Sequence, residues 1–183
     1  MIMTVTELKQ FVTTDVPNNV LEARLQALEL LIRAYTNNNF QKRAFRAVAV
    51  AVADGNQLLV PGSTPFKAGD TLEITESELN AGLVTVSAVS NGSITVAEEL
   101  YDESGVVLTK VVYPADVKQG VARMLQWQLD NGDKVGVQSE TISRHSVTYF
   151  NMDGDNSTMG FPKSLLGFLR PYVRARFGQG LSV

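Results

Sequence analysis

The chain has 183 residues, 44% hydrophobic and 19% charged, with a formal net charge of −3 and no cysteine. That balance excludes general disorder, and the missing thiols exclude disulfide frameworks, cysteine-ligated zinc and thiol catalysis. No apolar run is long enough to span a bilayer, and MIMTVTELKQ lacks the order of a secretory signal, so a soluble intracellular protein, or one assembled in a cytoplasm, is expected.

The first predicted element is a short helix through Glu7, Leu8 and Phe11, capped by Thr4 or Thr6 and broken at Asp15-Val16-Pro17-Asn18-Asn19. Leu21, Leu25, Leu28, Ile32 and Tyr35 then recur at helical spacing, which predicts a long amphipathic helix. Asn19 with Glu22 resembles a capping box at its start, and Asn37-Asn38-Asn39 supplies a left-handed end.

Residues 45 to 112 change to short strand-like runs: Phe45 to Ala53, Gln57 to Val60, Thr71 to Thr75, Leu83 to Val89, Ser93 to Ala97 and Val106 to Val112. Asp54-Gly55 and Asn91-Gly92 are hairpin signals, and Pro61-Gly62, Gly69-Asp70, Asn80-Ala81-Gly82 and Ser104-Gly105 punctuate the rest. The pattern predicts a small antiparallel barrel or sandwich inserted into a helical frame.

Helical periodicity resumes at Pro114, with Val117, Val121, Met124 and Leu125 on the apolar side up to Asn131-Gly132. Trp127 lies off the centre of that stripe, where it either closes the flank of the core or packs against another subunit. Residues 132 to 161 are polar, with short extended pieces such as Val147 to Phe150, and read as a contact-bearing loop. Pro162 opens a last helix through Leu165, Leu166, Phe168 and Leu169 that Pro171 ends or kinks, and Tyr172 to Val183 form a basic-aromatic tail expected to order only when docked. The expected fold class is therefore α+β: a bundle of about four helices, residues 1–44 and 113–183, around an inserted β domain, residues 45–112.

Charge is uneven. Residues 68 to 109 carry eight acids and no Lys or Arg, whereas Lys163, Arg170, Arg174 and Arg176 follow the last acid, Asp155. No chemical motif stands out against this background. Asn151, Asp153 and Asp155 have calcium-loop spacing, but Asn156 and Pro162 occupy the glycine and glutamate positions such a loop requires. His145, the only histidine, neighbours Ser146 in a geometry that does not make a triad, and no nucleophile elbow or phosphate-cradling glycine motif occurs. Glu98-Glu99 and Asp102-Glu103 read as polar hairpin ends, and Gly178-Gln179-Gly180 has no following helix. Hence no catalytic, cofactor or metal residue is assigned, although a metal-dependent hydrolase on Asp153 and Asp155 and a nucleic-acid module on the basic tail stay open as alternatives.

Two stretches carry a family resemblance. Thr4-Val5-Thr6-Glu7-Leu8-Lys9 with the long helix, and Asp116-Val117-Lys118-Gln119-Gly120-Val121, Asn131-Gly132-Asp133-Lys134-Val135-Gly136, Glu140 to Tyr149 and Gly160 to Tyr172 in that order, resemble the head-tail connector (adaptor) proteins of long-tailed bacteriophages, especially those of Gram-positive hosts. The resemblance covers about residues 4 to 40 and 113 to 178. It implies a structural virion protein and no enzyme: a ring, usually dodecameric, that sits between the portal and a stopper or tail-side protein and extends the DNA channel without sequence-specific binding. It places a tailward loop at Gln138 to Phe150, with Ser139, Arg144, His145 and Tyr149, and a portal-docking segment with Arg170, Tyr172, Arg174, Arg176 and Phe177. Neighbouring neck roles, stopper or tail terminator, belong to the same expectation. The β unit at 45 to 112 is extra to the shortest family members.

Overall fold

The computed structural model describes residues 1–62, 64–132, 139–142, 145–148 and 156–175, with 139–142 and 145–148 described as backbone. It is a mixed α+β structure with four helices among the described residues and a closed, antiparallel six-stranded barrel. The chain divides into two compact units, Met1 with Asn39–Tyr113, and Ile2–Asn38 with Pro114–Val183.

In the first unit, β1 (Gln41–Val52), β2 (Gln57–Leu59), β3 (Thr71–Thr75), β4 (Gly82–Ser90), β5 (Ser93–Val96) and β6 (Glu103–Val111) close in the order β1-β2-β5-β4-β3-β6. Alternation with period two points Leu58, Leu72, Ile74, Val84, Val86, Ile94, Val96, Val106 and Leu108 into the barrel. On β1 the fully buried residues are the small ones, Ala49 and Ala51, with Phe45 and Ala47 partly buried against the same core, and Val48 and Val50 face out. A six-stranded interior is narrow, and a long strand that pairs with both β2 and β6 fits it with methyl groups.

Two sequence expectations change here. The first strand starts at Gln41 rather than Phe45, because a register shift between Gln41 and Arg46 absorbs the irregular stretch between them. Ser104-Gly105 is not a turn between strands but lies within β6. Ala49 pairs with Val106 and Val50 with Ser104, so Gly105, at φ +80°, is the additional residue of a β-bulge. The same Gly signal serves turn and bulge, since both need left-handed backbone. Asn91-Gly92 does turn the β4–β5 hairpin, with Gly92 at φ +77°.

Acidic side chains hold the barrel's turns. Asp102 accepts from the Ala53 amide (2.8 Å) and Glu98 from the Thr85 amide (2.7 Å), but the segment that carries them joins β5 to β6, which are not neighbours in the barrel, so it is a crossing connection and not the hairpin end expected. Glu103 accepts from the Ser77 hydroxyl, the Glu78 amide and Asn80 Nδ2, and so organises the turn before β4. Asn80 in turn donates to the Tyr101 carbonyl and accepts from its amide.

In the second unit, the Thr4 side chain accepts from the Glu7 amide and Glu7 from the Thr4 amide, a capping box that starts α1 (Val5–Leu8). Helix α2 (Asn18–Thr36) begins behind Pro17 with no side-chain cap, so the Asn19–Glu22 capping box is not formed. Asn19 is already inside the first turn, where its side chain is no longer placed to cap. The buried stripe of α2 runs Leu21, Leu25, Leu28, Ile32 and then Thr36, not Tyr35, which is exposed. Thr36 is buried without cost because its hydroxyl donates to the Ile32 carbonyl (2.7 Å). Phe11, expected within the first helix, lies beyond the end of α1 and is 55% exposed.

Helix α3 (Ala115–Asn131) follows Pro114 and buries Val117, Gly120, Val121, Ala122, Met124 and Leu125. After it come a hairpin of β7 (Ser139–Ile142) with β8 (His145–Thr148), and a second short pair, β9 (Ser157–Thr158) with β10 (Phe161–Pro162). The last helix, Lys163–Tyr172, is 3₁₀ and carries Pro171 inside it. The helix runs one residue past Pro171 and so does not end at it, the proline's fixed φ being compatible with 3₁₀ backbone. No described helix is long and apolar enough to cross a membrane.

A Cβ on Gly120 would lie 2.4 Å from the Phe168 ring, so this glycine sets how closely α3 approaches the 3₁₀ helix. Gly120→Val should destabilise the helical unit by about 2 kcal/mol, because overpacking against a ring outweighs the small gain in helix propensity. A denaturant titration compared with the parent chain checks this. For the barrel, the Ser77 hydroxyl, followed by the Glu78 amide, holds the Glu103 carboxyl at about 2 against an ordinary 4.5. A lowered folded-state pKa stabilises above the unfolded value, so this contribution is complete above about pH 4.5 and fades as the pH falls toward 2. Melting curves of Glu103→Ala should fall below the parent near neutral pH and converge with it in acid.

Candidate functional site

Of the residues singled out for docking, Tyr172 and Arg174 lie at the end of α2. Asn37 stops this helix in left-handed geometry (φ 48°), which turns the chain away and leaves the final carbonyls of α2 open to other partners. The segment after the 3₁₀ helix partners the Thr36 carbonyl and the asparagine side chains that follow it. The Arg174 amide donates to the Thr36 carbonyl (2.8 Å), Asn38 Nδ2 to the Tyr172 carbonyl (3.2 Å) and Asn37 Nδ2 to the Ala175 carbonyl (3.2 Å). The side chain of Tyr172 closes the clasp: its hydroxyl lies 2.9 Å from both oxygens of Asp116, in the first turn of α3.

A carboxylate there is favoured by the positive end of the helix, and it accepts a hydrogen bond from the phenol hydroxyl. The hydrogen bond to Asp116, with smaller contributions from burial and from that negative charge, raises the Tyr172 pKa above its ordinary 10. Tyr172 to Ala175 are therefore held within their own unit, while the rest of the expected tail, 176–183, lies outside the described residues. Arg170 is exposed on the 3₁₀ helix, and Arg174 is exposed while its backbone is bound. Arg176 and Phe177 lie outside the described residues.

Trp127 sits beside a second feature. Its ring centroid is 5.6 Å from that of Phe161, and its carbonyl accepts from Asn131 Nδ2 (3.0 Å). The half-buried indole and exposed Phe11 line a groove of about 340 Å³ along α3, with Ala122 in its wall and Arg123 and Asp130 beside it. At the start of this unit Lys118 reaches Glu7 at 3.1 Å. The Glu7 pKa is lowered, first by the Thr4 amide and then by the hydrogen bond and charge of Lys118 against some burial.

Of the tailward-loop residues, Ser139 opens β7 and His145 opens β8, paired in one hairpin through Ser139 with Thr148 and Ile142 with His145. Arg144 and Tyr149 lie outside the described residues, as do Asn151, Asp153 and Asp155. Among the described residues, no three carboxylate, histidine or cysteine groups converge to hold a metal ion. Sequence reasoning missed Asn37, Asn38 and Asp116 as partners of the tail. Their separation from it, 134 residues for Asn38 and Tyr172, leaves no local pattern to read.

Comparison with protein-family models and with curated proteins finds no match to this chain.

Removing the phenol hydroxyl tests the clasp. In Tyr172→Phe the exposed hydrogen bonds contribute within about 1 kcal/mol of stability, so the global melt should hardly move. Local opening should rise, and limited trypsin digestion should cut after Arg174 faster than in the parent chain. Because the folded-state pKa is raised, the parent should lose this protection only above about pH 10.

Proposed function

We propose that this chain is a head-tail connector of a long-tailed bacteriophage: a structural virion protein that forms the adaptor ring between the portal and the stopper or tail. The observation that carries the reading is the assembly of the helical unit. The two stretches that resemble the connector family, about residues 4 to 40 and 113 to 178, are distant in sequence, yet Ile2–Asn38 and Pro114–Val183 form one compact unit. The β barrel, Asn39–Tyr113, is then an insertion in a connector frame, which makes the frame a small helical bundle interrupted once.

An adaptor acts through surfaces. A closed ring uses heterologous contacts, so each subunit presents two different faces to its neighbours. The groove between Phe11 and Trp127 is suited to one of them, since an aromatic pair beside an arginine has the composition of an interface centre. The clasp at Tyr172 and Asn38 gives the final residues a fixed point of departure toward the portal, with Arg170, Arg174, Arg176 and Phe177 as the docking groups. Ser139 and His145, on the β7–β8 hairpin, belong to the tailward contact with the stopper. Acids along residues 68 to 109 would keep passing DNA mobile by repulsion where they border a channel. The chain works in the virion, is assembled in the host cytoplasm, and needs no cofactor for this role.

Deleting residues 176–183 separates folding from docking, because Tyr172 to Ala175 and their hydrogen bonds remain. The truncated chain should melt like the parent and fail to join portal-bearing capsids, as read by its presence in purified particles. Normal incorporation would move the portal contact elsewhere.

A further inference from the structure

Cations gather at one end of the barrel without anions to match them. Gln41 pairs with Val111 and Arg46 with Thr109, so residues 42–45 of β1 bulge out opposite Lys110 alone. The bulge brings two ammonium groups to one ring: Lys42 Nζ lies 4.6 Å and Lys110 Nζ 5.8 Å from the centroid of half-buried Phe45. Arg43 and Arg46, on the same stretch of β1, are exposed. The Arg46 guanidinium is already held in place, since its Nε donates to Thr109 Oγ1 (3.0 Å), and this leaves both Nη groups for another acceptor.

One carboxylate answers this cluster: Asp70 reaches Lys110 at 2.6 Å. Among the described residues, no carboxylate pairs with Lys42, Arg43 or Arg46. The acids at the other end of β6 are spent on the protein's own backbone and turns, Glu103 on Ser77, Glu78 and Asn80, and Asp102 on Ala53. From Glu103 to Lys110 the strand runs roughly 20 Å, well beyond the screening length of about 8 Å at physiological salt, so the two ends act on a charged partner separately. Like charges that the fold holds together repel one another until an external anion joins them.

The chemistry of the cluster fits a phosphate backbone. The centre of a protein interface is depleted of lysine and built around apolar side chains, whereas the ring here lies under two lysines. Arg46, fixed through Nε, presents the fork that phosphate oxygens take in pairs, and Lys42, Arg43 and Lys110 add point charges around it. The groups are spread rather than converged on one point. From Lys42 to Arg46 is up to about 13 Å of strand, the axial length of about four phosphates on one strand of a duplex, so a polyanion engages the whole cluster and a small anion only part of it.

We propose that the β1 bulge, with Lys42, Arg43, Arg46 and Lys110, binds the phosphate backbone of duplex DNA without regard to sequence. The contact uses the barrel alone and does not rest on the connector reading.

Fluorescence anisotropy of a labelled duplex of mixed sequence, titrated with the full chain over a range of salt, tests the proposal, with melting curves to verify that each variant folds. The parent should bind at low salt, and the logarithm of its affinity should fall with the logarithm of salt at a slope of about −3. The K42A/R43A/R46A variant should bind about tenfold more weakly or worse, with a visibly shallower slope. K9A/K163A, which removes two exposed cations of the helical unit, should bind as the parent does. Polyglutamate should compete poorly with the duplex. A parent that ignores duplex DNA at low salt, a triple variant that binds as well as the parent, an equal loss in K9A/K163A, or polyglutamate competing as well as unlabelled duplex would overturn the proposal. A chain that binds duplex through the bulge yet is absent from phage necks contradicts the connector reading alone and leaves this site standing.

Discussion

The barrel depends on a contact between its own two ends. Phe40 and Tyr113 pack with ring centroids 4.8 Å apart, the Val112 amide donates to the Phe40 carbonyl (2.9 Å), and Gln41 pairs with Val111. The chain thus enters the strand unit and leaves it at the same place. Phe40 takes left-handed backbone (φ 51°) there, a conformation costly for an aromatic residue and repaid by its near-complete burial against Tyr113. An inserted domain whose ends meet disturbs its host least, because the host sees only a short bridge between two of its own segments. That constraint allows the sequences on either side, separated by 75 residues of barrel and link, to form one helical unit.

Within the helical unit, the parts suited to docking are fixed by contacts made far away in sequence. The Thr36 carbonyl at the end of α2 accepts from the Arg174 amide after the 3₁₀ helix, and Asp116 at the start of α3 holds the phenol that ends it. Gly120 lets that 3₁₀ helix lie against α3. Such a clasp joins α2, α3 and the 3₁₀ helix and sets where the terminal segment departs. In the proposed connector role, this preorganisation would reduce the ordering cost of docking.

The periodic elements were legible because burial follows period. The stripe on α2, the Val117–Leu125 face of α3 and the strand runs of the barrel all appear in the sequence at spacings of 3.6 or 2. What stayed hidden was chemistry without local pattern. Ser104-Gly105 carries a turn signature but makes a bulge, and Asn19 with Glu22 has the spacing of a capping box at a helix that starts one residue earlier. Ala49 and Ala51 take the inside of β1 although valine is the more apolar neighbour, since the barrel's width decides and not hydropathy. The partners of Tyr172, at Asp116 and Asn38, were beyond the reach of any window. The proposed function rests on a motif order that periodicity does not contain.

The central claim is that the chain acts as a ring between capsid portal and tail, with its helical unit as the connector frame. Electron microscopy of virions labelled with an antibody to the barrel tests it most directly. The account predicts label confined to the neck, around the ring that joins capsid to tail. Label along the tail tube, over the capsid shell or absent from the particle would contradict it.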